Sequence, residues 1–325
     1  MSARISVVIP NYNHASFLQQ RIDSVLCQTR PPFEIIILDD CSTDNSVALI
    51  EKYAAADIRI RFLSNGVNSG SVFAQWNKGV SLANGDLIWI AESDDVAKKD
   101  LLEKLVGPME NDPAIVLSYC ESFRMNEAGE TTGTWKTSTD EIDGHLFSEN
   151  FIMKGEEYIE RALVHRNSIP NASGVLFKRT AYEKAGGASS GLPHTGDWLM
   201  WLKILCYGKV SFCAEPLNYF RYHEGSVIAK ATSKERDVDF KDWFGYTLRC
   251  ELVRFLKKNR FALTTKAHVS NAKYMATDKG RIGLYHLRNR KYFKGWRMVL
   301  SSSVYPVVQT GYLKKALSFG KSLTV

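Results

Sequence analysis

Three carboxylates fall within four residues at Glu92-Ser93-Asp94-Asp95, directly after the apolar run Asp86-Leu87-Ile88-Trp89-Ile90-Ala91. Hard divalent cations take oxygen donors of this kind, and Mg²⁺ characteristically combines one or two carboxylates with phosphate oxygens and water. A cation held here would neutralise a departing diphosphate. Extended residues alternate faces, so the three acids cannot all address one ion. One or two would bind metal, and another would hold a ribose hydroxyl. The competing reading is a helix N-terminus, with Ser93 or Asp94 capping a helix that begins near Ala97.

Other polar groups are spaced for related work. Asp39-Asp40 ends the apolar run Glu34–Leu38, where an aspartate can accept from a nucleobase N–H or a ribose hydroxyl. The bland alternative is turn chemistry, and both readings fit if Asp40 faces ligand while Asp44 caps the next helix. Asp197 precedes the apolar helical run Trp198–Leu202. It suits an N-cap, and it also suits a general base within hydrogen-bond reach of an acceptor hydroxyl. Arg221 and His223, two apart after an aromatic stretch, share a face if extended and could contact diphosphate or metal. A lone histidine, by contrast, is more often structural.

The elements that must position these groups alternate. Strand-like runs at Ile5–Ile9, Glu34–Leu38, Arg59–Leu63 and Asp86–Ala91 are separated by amphipathic segments near Phe17–Cys27, Asn45–Ala55 and Val72–Ala83. That alternation predicts parallel βαβ units in an α/β fold with a doubly wound, mostly parallel twisted sheet and flanking helices. Ligands of such sheets bind beyond the carboxyl ends of the strands. Pro10-Asn11-Tyr12-Asn13, Asp39-Asp40 and Glu92–Asp95 all fall there. Residues 122–150 are polar and weakly periodic, and read as a loop or lid. Residues 151–230 return to α/β patterning. The chain from 231 onward reads as helical, with segments at Trp243–Lys258 and Ala262–Thr277.

The composition is that of an ordinary folded protein, with 45% hydrophobic residues in 325. The six cysteines form no CxxC pair or zinc spacing, so reduced thiols are expected. No secretory signal pattern opens the chain and no window holds the ~18–20 apolar residues of a spanning helix, which points to a cytoplasmic protein. The net charge of +7 conceals an asymmetry: residues 231–325 hold 20 Lys+Arg against 6 Asp+Glu.

These segments together resemble family 2 glycosyltransferases of the GT-A fold. The resemblance rests on Ile5–Asn13 (ISVVIPNYN), a helix with Ser24 and Gln28, Ile35–Ser46 (IIILDDCSTDNS), Asn68-Ser69-Gly70, Asn77-Lys78-Gly79 and Ala83-Asn84-Gly85-Asp86. Glu92–Asp95 then stands in the place of the family's DxD region. Further on come Ser173–Arg179, Gly186-Gly187 and Asp197–Leu202. The match runs over roughly residues 4–228.

The resemblance implies a GT-A catalytic domain over 1–230, with a nucleotide half to about 120 and an acceptor half from about 121, and a basic helical region over 231–325. It implies an inverting transfer of sugar from a nucleotide-diphosphate donor, a UDP-sugar favoured, to a glycan or lipid-linked acceptor of the cell surface. Pro10, Tyr12, Asn13, Asp40, Asn68, Asp94 and Arg221 would bind the nucleotide-sugar. Asp95, His223 and Glu92 would hold Mn²⁺ or Mg²⁺, and Asp197 would be the base. Two departures stand out: Glu92 replaces a usual Asp, and Gly196 replaces a usual Glu.

Basic residues interleaved with aromatics, as in Arg288–Arg297, suit peripheral attachment to the anionic inner face of a membrane, with Val304–Leu317 as an apolar face. The alternative is a helical subdomain that packs or forms a homodimer. No nucleic-acid motif accompanies the charge. A nucleotidyltransferase would carry a Gly-rich basic loop where Asn11-Tyr12-Asn13-His14 stands. A binding scaffold without turnover is the non-enzyme alternative.

Overall fold

The computed structural model describes residues 2–169, 171–192, 195–225, 239–289 and 291–302. The chain divides into two compact units, Met1–Glu224 and Gly225–Val325.

The first unit is built on one ten-stranded sheet in the order β3-β2-β1-β4-β9-β6-β10-β5, with β7 on β6 and β8 on β10. Its opening half is parallel: β1 (Ile5–Asn11) lies between β2 (Glu34–Asp39) and β4 (Leu87–Ile90), and β3 (Ile60–Ser64) extends β2. The strands are runs of branched apolar residues because helices cover both faces. β1 and β4 are buried at every position. The connections are α1 (Ala15–Leu26), α2 (Ser46–Ala56) and α3 (Val72–Leu82). Ser71 caps α3 by accepting from the Ala74 amide. At Gly79 a Cβ would stand 2.2 Å from Val8 Cγ1, so α3 rests directly on β1.

Antiparallel pairing enters in the second half. β9 (Val175–Lys178) runs antiparallel between β4 and β6 (Ile115–Met125), and β6 is parallel to β10 (Lys209–Arg221). The two-residue β5 (Val96–Ala97) pairs antiparallel with β10 through Tyr219 and Asn218. The acidic segment therefore hangs between β4 and β5 and is pinned at both ends. The next helix, α4 (Leu101–Asn111), begins only at Leu101 with Asp100 before it, so neither Ser93 nor Asp94 caps it.

Residues 122–150 are not one loop. Ser122–Met125 complete β6, Thr131–Thr134 form β7, and Lys136–Asp143 form α5. The polar sequence conceals this because β6 here is held by backbone register with β10, from Ser122↔Asn218 to Met125↔Arg221, rather than by an apolar face. Then follow β8 (Phe151–Lys154), the short α6 (Gly155–Tyr158) with a π-turn at Ile159–Leu163, α7 (Arg179–Ala185) and α8 (Gly196–Ile204). Gly186 and Gly187 end α7 with φ of 83° and 74°, the left-handed region that glycine enters at little cost.

The second unit contains α9 (Asp239–Asn259), α10 (Thr265–Arg288) and α11 (Tyr292–Ser301). Leu284, Leu287 and Val299 form its core with Trp296 against them. Arg249 is buried and meets Asn271 at 3.1 Å and Asp278 at 3.7 Å. No helix among the described residues is long and apolar enough to cross a membrane. Val304–Leu317 lies outside the described residues.

Candidate active site

The acidic segment is organised around a buried cation. Arg21 sits on α1 within the apolar stripe of Leu18, Ile22 and Val25 and is 0% exposed. Its Nε donates to the Glu92 carbonyl at 2.8 Å, and a terminal nitrogen lies 3.9 Å from Asp95 Oδ2. Burial pulls its pKa down to about 10, against the pull of Asp95, Asp94 and Glu92. An arginine there is costly to desolvate, and the carboxylates above it offset that cost.

Each acid has a different environment. Asp95 is 1% exposed and turned inward: it accepts from the Arg221 amide at 2.9 Å and from Asn171 Nδ2 at 3.3 Å. Burial and the neighbouring Asp94 charge push its pKa up, with Arg21 opposing. Glu92 accepts from Trp76 Nε1 at 2.7 Å. Its pKa is pushed up to about 8 by burial first, then by Asp94. Its carboxylate is thus turned to the Trp76 indole beneath the segment. Asp94 goes the other way. Burial would raise it, but the hydrogen bond from His223 and the proximity of His14 and His223 carry it below the ordinary value.

Asp94, His223 and His14 converge. One ligating atom from each lies within 4.8 Å of the other two. His223, 8% exposed, approaches Asp94 Oδ2 at 3.1 Å through Nε2 and packs on Phe17 at 4.9 Å. His14, just past β1, pairs through Nδ1 with Ser93 Oγ at 2.7 Å. A histidine ligand is commonly oriented by such a second contact on its other nitrogen. Two imidazoles and a carboxylate fit a divalent cation as donors. His14 was missed in the sequence, although it follows the Asn-Tyr-Asn run at a strand end. Arg21 was missed too; its signal was a charge inside an apolar stripe.

Arg221 acts on backbone. Its Nε donates to the Asp94 carbonyl at 2.8 Å, another nitrogen to the Glu127 carbonyl at 3.0 Å, and a third to Gln20 at 2.6 Å. It ties together the acidic segment, the β6–β7 turn and α1.

Beyond β1 and β2, Asp40 is 5% exposed and accepts from Asn65 Nδ2 (2.6 Å), Ser69 N and Oγ (2.9 and 2.7 Å) and Gln75 Nε2 (2.9 Å). Asn68 donates to the Asp40 carbonyl at 2.9 Å. Asp40 thus shapes the 65–71 loop. Asn13, at φ 54°, accepts from the Thr43 amide at 2.7 Å, and Pro10 is buried in β1. Tyr12, next to Asn13 in the chain, is 46% exposed and presents an aromatic ring to solvent. Asp44 accepts from the first amides of α1 and α2, Ala15 N at 2.9 Å and Ser46 N at 3.0 Å. Acidic groups are favoured at such helix starts.

Asp197 lies in the first turn of α8, and Asn167 Nδ2 donates to its Oδ2 at 3.0 Å. Burial pushes its pKa up to about 6, with the Trp198 amide and Asn167 opposing. A carboxylate with that pKa is ionised near neutrality yet basic enough to accept a proton. Gly196 is required where it stands, because a Cβ would meet the Phe73 ring at 2.5 Å. The usual glutamate does not fit there.

A parallel β3-β2-β1-β4 half joined through antiparallel β9 to a second, mixed half, with acids gathered past β4, is the GT-A arrangement. The chain belongs to glycosyl transferase family 2: the family model matches residues 6–184. It is therefore a transferase. It is 31% identical over 243 residues to Glycosyltransferase GlyG of Streptococcus pneumoniae, covering 70% of this chain and 74% of that one. Over 191 residues it is 28% identical to Poly(ribitol-phosphate) beta-glucosyltransferase of Bacillus spizizenii, covering 56% of this chain and 30% of that one. Among solved structures it is similar to S. aureus TarS 1–349 in complex with UDP-GlcNAc. The TM-score is 0.63 at 18% identity, over 86% of this chain and 72% of that chain.

Proposed function

We propose that the protein is an inverting glycosyltransferase that moves a sugar from a UDP-sugar to a glycan or lipid-linked acceptor in cell-surface polysaccharide synthesis. The observation that carries this is the convergence of Asp94, His223 and His14 past β4 in a chain that also holds Asp197 with a pKa near 6. The UDP-GlcNAc bound to TarS supports the donor class, and the Bacillus relative, a beta-glucosyltransferase by name, supports transfer of a hexose to a polymer.

Asp197 takes the proton of the acceptor hydroxyl as that oxygen attacks the anomeric carbon. The nucleotide diphosphate leaves from the opposite face, so one displacement inverts the configuration. Asn167 holds Asp197 in orientation. A divalent cation, when bound, supplies charge neutralisation for the leaving diphosphate. Asp94, His223 and His14 would hold it. A set with two imidazole nitrogens favours Mn²⁺ over Mg²⁺, which prefers oxygen alone. In this reading Asp95 and Glu92 are anchors of the segment rather than ligands. Tyr12 and Pro10 contact the nucleoside, while Asn13, Asp40 and Asn68 shape the loops around it. Arg221 fixes the segment's backbone.

Thermal unfolding with a panel of nucleotide sugars tests the donor assignment, because a ligand bound to the native state raises apparent stability. A UDP-sugar with Mn²⁺ should raise the midpoint, and EDTA should abolish the rise. A shift from other nucleotides only would overturn the uridine assignment.

The second unit is read as a peripheral membrane anchor on the cytoplasmic face. On α11, Phe293 (83% exposed) and Leu300 (51%) share an outward side with Arg297, and Lys294 lies beside them. Basic residues near an anionic surface contribute about 1 kcal/mol each. The protein should sediment with phosphatidylglycerol vesicles and not with phosphatidylcholine ones. Release by Lys294→Glu/Arg297→Glu supports the reading; an unaffected pair variant, or dimerisation without vesicle binding, opposes it.

A further inference from the structure

A cavity of about 460 Å³ lies beside Asp197, within the range of small-ligand sites, roughly 300–1,000 Å³. One residue joins the two: Asn167 lines the cavity and donates to Asp197 Oδ2. A group bound in the cavity is thereby placed next to the proposed base.

The walls have a consistent chemistry. Trp135, at the start of α5, contributes an aromatic wall. The Arg124 guanidinium lies over its ring at 4.5 Å, and the Tyr222 ring stacks with it at 6.2 Å. Ser138 lines the cavity, and its Oγ accepts from Arg124 at 3.0 Å, which leaves its own proton to donate. Ser168 belongs to a buried hydroxyl chain: its Oγ meets Tyr158 Oη at 2.8 Å, and Tyr158 Oη meets Tyr119 Oη at 2.5 Å. These hydroxyls are fixed before any ligand arrives. Arg166 also lines the cavity, but its charge is answered by Glu141 at 2.7 Å.

From this we infer that the cavity is the acceptor subsite and binds an uncharged, hydroxyl-rich sugar unit. An aromatic wall with fixed hydroxyls and an amide matches the apolar face and hydroxyl edge of a pyranose. The lining charges balance, since Glu141 also lines the cavity opposite Arg166, so the site offers a phosphate no net positive charge. The inference rests on the transferase reading, since it is Asp197 as base that makes the cavity an acceptor site. It also gives the segment before and through α5 a role, as the wall that carries Trp135 and Ser138.

Saturation-transfer NMR on the full chain tests it. The probes are methyl β-glucopyranoside, methyl β-galactopyranoside, methyl β-N-acetylglucosaminide and glycerol 1-phosphate, each with UDP and Mn²⁺ present. At least one glycoside should receive saturation, and Trp135→Ala should weaken it about tenfold, the loss expected for truncating one aromatic anchor. Because Trp135→Ala also removes packing on Tyr222, a second variant, Ser138→Phe, fills the cavity while the aromatic wall is retained. It should abolish the glycoside signal and leave UDP affinity unchanged. Glycoside signals that survive both variants, or glycerol 1-phosphate as the sole binder, overturn the subsite. Absence of UDP binding in the unmodified protein would instead overturn the uridine-donor reading on which the experiment rests.

Discussion

His223 Nε2 stands 3.1 Å from Asp94 Oδ2 although 129 residues separate them in the chain. The pairing of β5 with β10 brings them together, and Arg221 locks it by donating through Nε to the Asp94 carbonyl and through its amide to Asp95. A two-residue strand thus delivers a histidine from beyond β10 to an acid beyond β4.

His14 and Asp95 should separate in a metal titration. His14→Ala is expected to weaken Mn²⁺ binding about 10- to 100-fold, the scale seen when a metal site loses part of its support. Mn²⁺ electron paramagnetic resonance reads this without turnover. Equal affinity in His14→Ala, with a large loss in a folded Asp95→Asn, would return the metal to the inward acid.

Asp197 should set the acidic limb of the pH profile. Its pKa near 6 means that kcat/KM rises with pH and levels off above about 6. Asp197→Asn should keep UDP-sugar binding and lose about 10²–10⁴ in transfer rate.

The same carboxyl has a stability signature. Its folded pKa lies above its unfolded value of 3.8, so its contribution is present below 3.8 and is lost as pH rises through about 6. Asp197→Asn should therefore be more stable than the unmodified protein at pH 8, by roughly 1–2 kcal/mol, and closer to it at pH 4. Urea denaturation at both pH values measures the difference.

Arg21→Met should destabilise the first unit by about 3–5 kcal/mol at pH 7.5, because it leaves Asp95 without its buried cation. The deficit should shrink at pH 5, where Asp95, its pKa raised by burial and Asp94, binds a proton. A deficit independent of pH would mean that Arg21 matters through packing on Trp89, which it overlies at 5.7 Å.

Gly187→Val should cost about 1–3 kcal/mol through its positive φ and its contact with Asn77, whose Oδ1 a Cβ would meet at 2.6 Å. That side chain also accepts from Tyr182 Oη and the Ala188 amide, so the turn leading towards α8 would loosen. A thermal midpoint unchanged by the substitution would contradict this.

The parallel half was legible in the sequence because its strands are uninterrupted apolar runs and its helices keep a clear period. The mixed half beyond β5 was harder. β6 beyond Glu121, β7 and β5 are held by backbone pairing rather than by an apolar face, so residues 122–150 resembled a loop. At the site, the acidic cluster and Asp197 showed as polar groups at element ends. What the sequence hid was direction: alternation along an extended segment said that the acids diverge, but not which one turns inward. That choice is made by Arg21 below the segment and by the Arg221 amide beside it, both distant in the chain. His14 was concealed for the same reason, since its neighbours Asp94 and His223 come from two other elements.

Calorimetric titration of UDP in Mn²⁺, with the unmodified protein and Asp94→Ala side by side, tests the account most directly. Saturable UDP binding that requires Mn²⁺ and disappears in Asp94→Ala is the predicted result. UDP binding that persists unchanged in EDTA, or in Asp94→Ala, would contradict it.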